Sequence, residues 1–372
     1  MPLFADILGQ ELALTVLRQA LATGASHAYL LTGPPGVGKS EAAIAFAGGL
    51  TCSEGGCAVC DTCRRVRLGL HPDVEIVSAE GAFITIDQIR AINKDVVLRP
   101  FEARARVYVL FDAENMNREA ANAFLKTLEE PPGHSHFILV SSSPEELPPT
   151  IVSRCQKVPF QRVATSLLAD HLRSAYGCSD VEAVAYARVA QGRLAYAREL
   201  ATDAGTRAHR ERLVGWARAA ATTGPLDAQV MLEEILASVE ARADARVAVL
   251  EAEKADRLQW AGDARTKSRL EKQHEQRVKR ERRRAVTGGM EEVLGTFSHW
   301  YRDLAAAAVG ADDAVLNHDF LFELRGQSFP GMVDRYLGAV SAVGRTRDRF
   351  RYNVDARCAL EEMLFSIREA FQ

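Results

Sequence analysis

Several residue groups in this chain have types and spacings that could do chemistry. The first is "GPPGVGKS", Gly33 to Ser40, placed between the apolar run "AYLLT" and the helical pattern "EAAIAFAGGL". Glycines at 33, 36 and 38 let the backbone N–H groups of a loop completed by Pro34, Pro35 and Val37 curl around a phosphate. The helix that follows offers its positive end, Lys39 reaches the outer phosphates, and Ser40 can ligate magnesium. Strand, loop and helix stand in the order this mechanism needs, so ATP or ADP with Mg2+ is the expected ligand.

The partner of such a loop is a second strand ending in an aspartate and a further carboxylate, the first helping to hold magnesium and the second orienting the attacking water. In "VYVLFDAENMN", residues 107 to 117, Asp112 fits the first role, but Ala113 has only a methyl group and cannot fill the second. Glu114 is adjacent, but side chains alternate along an extended segment, which predicts that it faces away from the direction residue 113 would take. The phosphate cradle therefore reads as complete and the hydrolytic half as damaged.

Two further groups stand apart from the loop. Arg154, in Ser153-Arg154-Cys155, follows a helix-sized segment after the fourth apolar run. Its guanidinium could serve as an arginine finger for the phosphate of a neighbouring subunit, or it could neutralise the negative end of its own short helix. Cys52, Cys57, Cys60 and Cys63 lie in "TCSEGGCAVCDTC". Two overlapping C-x-x-C knuckles and a fourth thiolate can surround one Zn2+ tetrahedrally, a closed and therefore structural site; the alternative is a set of reduced thiols. The isolated His71, His134 and His136 are expected to pack or face water.

These groups need a scaffold, and the chain of 372 residues is long enough for two to three domains. Short apolar runs at 28 to 32, 74 to 79, 106 to 112, 136 to 142 and 156 to 160 alternate with helical patterns, which predicts a parallel sheet covered by helices over residues 1–161. From Ala164 onward the pattern is helical, with breaks expected near "YGCSD" (176 to 180), "TTGPLD" (222 to 227) and "VTGG" (286 to 289). That gives a small helical domain over 162–222 and a larger helical one over 223–372. Within the latter, 242–284 ends in "KQHEQRVKRERRR", and reads either as a solvated projecting helix or as a basic stripe for DNA phosphates. A formal net charge of -3 argues against a protein that coats nucleic acid by itself. No signal-peptide pattern or membrane-length apolar run is read, so a cytoplasmic location and reduced cysteines are expected.

Taken in order, the phosphate loop, the cysteine insertion after its helix, "NAFLKTLEEPP" (122 to 132) and Ser-Arg-Cys resemble bacterial clamp-loader subunits of the AAA+ class, over residues 1 to about 200. The resemblance implies a RecA-like AAA+ α/β domain, a small helical lid and an all-α C-terminal collar. It also implies an assembly with gamma/tau and delta subunits that places the beta sliding clamp on primed DNA. In such assemblies the arginine matching Arg154 acts in trans. Ser142 matches the polar sensor at the end of the fourth strand, and Gln10, in "DILGQ", matches a segment beside the adenine. Glu129 and Glu130 of "LEEPP" read as structural, at a helix stopped by prolines.

Departures from the motor type of subunit are informative. The motor has Asp-Glu where this chain has Asp112-Ala113, and its lid carries Gly-Ser-x-Arg where this chain has Gly192 followed by Ala195. Arg193 could compensate, although a helix would turn it about 160° from the direction of residue 195. The expectation is a companion subunit that binds ATP, hydrolyses it poorly and lends Arg154 to a neighbour. The alternatives are a self-sufficient motor ATPase, and a zinc-dependent nucleic-acid-binding module with a vestigial nucleotide site.

Overall fold

Burial on both faces explains how the central strands form. In the computed structural model, which describes residues 2–79, 83–259, 264–351 and 355–372, β1 (Ala28–Thr32), β2 (Val74–Val77), β3 (Arg106–Phe111), β4 (Ser135–Ser141) and β5 (Gln156–Pro159) are all parallel, in the order β2-β3-β4-β1-β5. Tyr29, Leu31, Val107, Val109, Ile138 and Val140 point to one face of the sheet and pack with residues of α1 (Glu11–Thr23) and α2 (Lys39–Thr51). Leu30, Tyr108, Leu110, Phe137 and Leu139 point to the other, against α4 (Ile86–Asp95) and α5 (Arg118–Glu129). Both faces are covered, so the central β1, β3 and β4 read as continuous apolar runs, whereas the edge strands β2 and β5 keep exposed positions.

The sheet topology places the chemistry. β4 lies between β1 and β3, with Thr32 opposite Ser141 and Phe111 opposite Val140. The phosphate loop after β1, Ser142 after β4 and Asp112 after β3 therefore leave the sheet side by side at its carboxyl edge, where ligands of open parallel sheets bind. Helix starts are fixed locally: Thr85 and Gln88 form a reciprocal capping box on α4, and the Asn117 side chain caps α5. Between α2 and β2 sits α3 (Asp61–Leu68), and between β4 and β5 the short α6 (Pro149–Val152).

The chain divides into two compact units, one of residues 1–168 with 190–198 and the other of 169–189 with 199–372. Among the described residues every element after β5 is helical: α7 (Thr165–Tyr176), α8 (Asp180–Ala190), α9 (Leu194–Thr202), α10 (Ala204–Ala220), α11 (Pro225–Gln259), α12 (Ala264–Ala308), α13 (Leu321–Gln327), α14 (Val333–Arg351) and α15 (Ala356–Phe371), with short 3₁₀ turns. The second unit closes around buried Phe297, Trp300, Tyr301 and Tyr336.

The break expected at "VTGG" is absent, because α12 runs through it. A Cβ added at Gly289 would meet Val239 Cγ1 of α11 at 3.0 Å, so the glycine serves close helix approach rather than termination. The basic stretch 242–284 spans the end of α11 and the start of α12, and its residues 260–263 lie outside the described residues. Several of its basic side chains face acids across the two helices. Arg282 pairs with Glu240 and with Asp244 at 3.2 Å, Arg246 with Glu281 at 3.4 Å, and His274 with Glu251 at 3.1 Å. No helix among the described residues is long and apolar enough to cross a membrane.

Candidate nucleotide site and cysteine cluster

The phosphate loop is shaped by backbone conformations that side chains disfavour. Gly33, Gly36 and Gly38 have φ of 137°, 77° and 99°, and Gly38 stands at the start of α2. A Cβ at Gly33 would sit 2.2 Å from the Phe160 carbonyl oxygen, so glycine is required there by space as well as by conformation. Lys39 is buried, and its ammonium donates to the carbonyl oxygens of Gly33 and Pro34 (2.5 and 2.6 Å) and to Ser142 Oγ (3.2 Å). Burial draws the Lys39 ammonium down to about 8, against the pull of Glu114 and Glu41. A loop that only glycine can adopt, with a lysine held inside it at a helix start, fits the phosphates of a nucleotide. Magnesium would be held there by Ser40 and Asp112, and its chemistry would be to neutralise charge on the phosphate oxygens.

Glu114 is not where strand alternation would put it. Asp112 leaves β3 with φ 50° and ψ 52°, and Ala113–Asn115 then form a 3₁₀ turn closed by Asn115 N–H to the Asp112 carbonyl at 2.9 Å. The segment stops being extended at Asp112, and the alternation rule ends with it. Ala113 is fully buried, while Glu114 turns to the site and its Oε1 accepts from Ser142 N–H at 3.0 Å. Ser142 thus bonds Lys39 through its hydroxyl and Glu114 through its backbone.

Other expected site residues are held by contacts of their own. Gln10 is buried, and its amide is engaged by the main chain of Gln161: Nε2 donates to the carbonyl at 2.6 Å and Oε1 accepts from the N–H at 2.9 Å. It ties the start of α1 to the end of β5. Arg193 precedes α9, so the helical turn invoked to send it away does not apply. Its stem lies 3.2–3.5 Å from the Cβ position of Gly36, and its guanidinium carbon lies 4.8 Å from the Tyr196 ring centroid. The Arg154 guanidinium donates to the Thr150 carbonyl at 2.8 Å and pairs with Glu129, so Glu129 does more than stop a helix.

The four cysteines form a second candidate site. Their Sγ atoms all lie within 4.8 Å of one another, with Cys52 at 3.9 Å from Cys57 and 3.6 Å from Cys60. A tetrahedron of thiolates around zinc has S···S edges of about 3.8 Å, from Zn–S bonds of ~2.3 Å. Cys60 N–H and Cys63 N–H donate to Cys57 Sγ and Cys60 Sγ at 3.3 and 3.4 Å, which turns the sulfurs inward. Burial alone would raise the Cys52 thiol, but N–H groups of Cys57, Gly56 and Glu54 outweigh it and bring it down to about 6, whereas burial pushes the Cys63 thiol of the same cluster up. This set could hold a structural zinc. His71, His134 and His136 are not part of it; their ring nitrogens bond Asp73 N–H, the Leu98 carbonyl and the Ser26 carbonyl.

Fold and site together define a P-loop α/β domain of the AAA+ kind followed by helices. Residues 9–164 match the protein family described as DNA polymerase III, delta subunit. The chain is similar to DNA polymerase III subunit delta′ of Pseudomonas aeruginosa (41% identical over 150 residues, 38% of this chain and 46% of that protein). Against subunit delta′ of Bacillus subtilis it is 38% identical over 150 residues, 40% of this chain and 46% of that protein. Against subunit tau of Escherichia coli K12 it is 33% identical over 271 residues, 69% of this chain and 41% of that protein. The chain spans less than half the length of these relatives. In the region matched, the chain is similar to clamp-loader subunits of DNA polymerase III.

Proposed function

We propose that the chain is a delta-prime, or stator, subunit of the polymerase III clamp loader. It binds ATP or ADP with magnesium through Gly33 to Ser40, Asp112 and Ser142, hydrolyses ATP poorly, and offers Arg154 to the nucleotide of an adjoining gamma/tau motor. With gamma/tau and delta subunits in the cytoplasm it would help place the beta sliding clamp on primed DNA. In this reading 162–222 is the lid, 223–372 the collar, and the cysteine cluster carries zinc as a structural clip. The observation that carries it is Ala113, a buried methyl group directly after Asp112 beside an otherwise formed phosphate loop.

A gamma/tau-type motor is the second reading, favoured by the turn that brings Glu114 into the site. Steady-state ATPase on the isolated chain separates the two: tight binding of a fluorescent ATP analogue with negligible turnover supports the stator, and turnover of order 1 s⁻¹ or above supports the motor. Reconstitution tests the finger. Arg154→Ala should lower the ATPase of the assembly at least about tenfold while leaving nucleotide binding by this chain unchanged.

A further inference from the structure

The site has lost a carboxylate at residue 113, yet it holds one that the sequence motif does not assign. Asp112 in the left-handed region and the 3₁₀ turn after it swing the next carboxylate back toward the loop. The turn is fixed from outside as well, since Ile84 N–H donates to the Asn115 carbonyl at 2.8 Å and Asn117 N–H to the Ile84 carbonyl at 3.3 Å. One Glu114 oxygen is anchored by Ser142 N–H at 3.0 Å. The other, Oε2, is buried and among the described residues has no hydrogen-bond partner. An orphaned carboxylate oxygen is costly to bury, so its persistence calls for a partner that arrives with the ligand. Ser142, which anchors Glu114, also contacts the Lys39 ammonium, so the free oxygen stands beside the groups that face the outer phosphate.

We propose that Glu114 is the water-holding carboxylate of this nucleotide site, acting from one residue beyond the position that Ala113 leaves empty. The inference rests on the nucleotide-binding reading above and gives it a source of slow hydrolysis. In that reaction a water oxygen bonds to the terminal phosphorus and the bridging P–O bond breaks, its electron pair staying on ADP. The water proton is accepted at Glu114 Oε2 and passes to the released phosphate. A carboxylate anchored at one oxygen and approached from a turn is displaced from the usual geometry, which accounts for a poor rate rather than none.

Glu114→Gln isolates the orphaned oxygen, because the amide oxygen can still accept from Ser142 N–H while the NH2 group cannot accept a water proton. The full chain would be measured in two ways: affinity for ADP with and without aluminium fluoride, which mimics the reacting phosphate, and single-turnover ATP hydrolysis. The expected result is ADP affinity within about twofold of the wild type, with tenfold or greater loss both in the extra affinity conferred by aluminium fluoride and in the single-turnover rate. A variant equal to the wild type in both overturns the proposal and leaves nucleotide binding standing. A wild-type chain that binds ADP no better with aluminium fluoride overturns it too. Failure of the wild type to bind any adenine nucleotide instead removes the underlying reading, and the proposal with it.

Discussion

Arg154 and Glu129 are paired across two segments, the guanidinium two residues past the end of α6 reaching the carboxylate on the last residue of α5, with side chains 32% and 47% exposed. The same guanidinium also donates to the Thr150 carbonyl, so in the isolated chain it serves its own short helix. Use in trans requires it to leave Glu129. An exposed pair of this kind is worth only about 0.2–1 kcal/mol, so a phosphate with more charge competes easily. Glu129→Gln should therefore raise the apparent affinity of this chain for an ATP-loaded motor subunit by up to about fivefold in a titration of assembly ATPase. Unchanged or weaker assembly would show that Glu129 does not compete for the finger.

Lys39 gives a pH dependence with two opposite senses. Its ammonium titrates near 10.5 in an unfolded chain and near about 8 in the fold. Between those values the unfolded state binds more protons, so this residue's contribution makes stability rise with pH from about 8 to 10.5, and its burial cost is fully present below about 8. Phosphate binding needs the charged form. ATP affinity should fall as pH rises through about 8, approaching tenfold per pH unit, and Lys39→Met should remove most of that dependence. A flat affinity from pH 7 to 9.5 in the wild type, followed by calorimetry, would count against it.

How much of this was legible in sequence depended on whether local rules held. The central strands β1, β3 and β4 are readable because strands buried on both faces are continuous apolar runs, and the phosphate loop because its glycines are demanded by positive φ. Glu114 was misread because alternation assumes an extended chain, and a single left-handed residue at Asp112 ends it. The Arg154–Glu129 pair joins residues 25 apart with no periodic signal. Gly288 and Gly289 look like a break in sequence, whereas the neighbouring α11, invisible to a local window, makes Gly289 a packing residue. Arg193 was turned away by an ideal helix that in the fold begins one residue later.

The cysteine cluster is the most directly testable part of the molecule. Its segment, from Cys52 through α3, is held by little apolar burial of its own: Cys52, Cys63 and Val66 are buried, while Val59 and Leu68 are exposed. A bound metal would therefore supply a large share of the order there. The chain purified from zinc-supplemented culture should carry about one zinc per molecule by elemental analysis. Cys60→Ser should lose it and lower the melting temperature by roughly 5 °C or more, corresponding to about 2 kcal/mol in a domain of this size. Cys358→Ser, at an exposed position on α15, is the control and should keep both the metal and the melting temperature. If DNA binding appeared in the wild type and vanished on chelation, the cluster would be a recognition site rather than a clip. If Cys60→Ser matched the wild type in metal content and melting temperature, the four sulfurs would be no metal site at all.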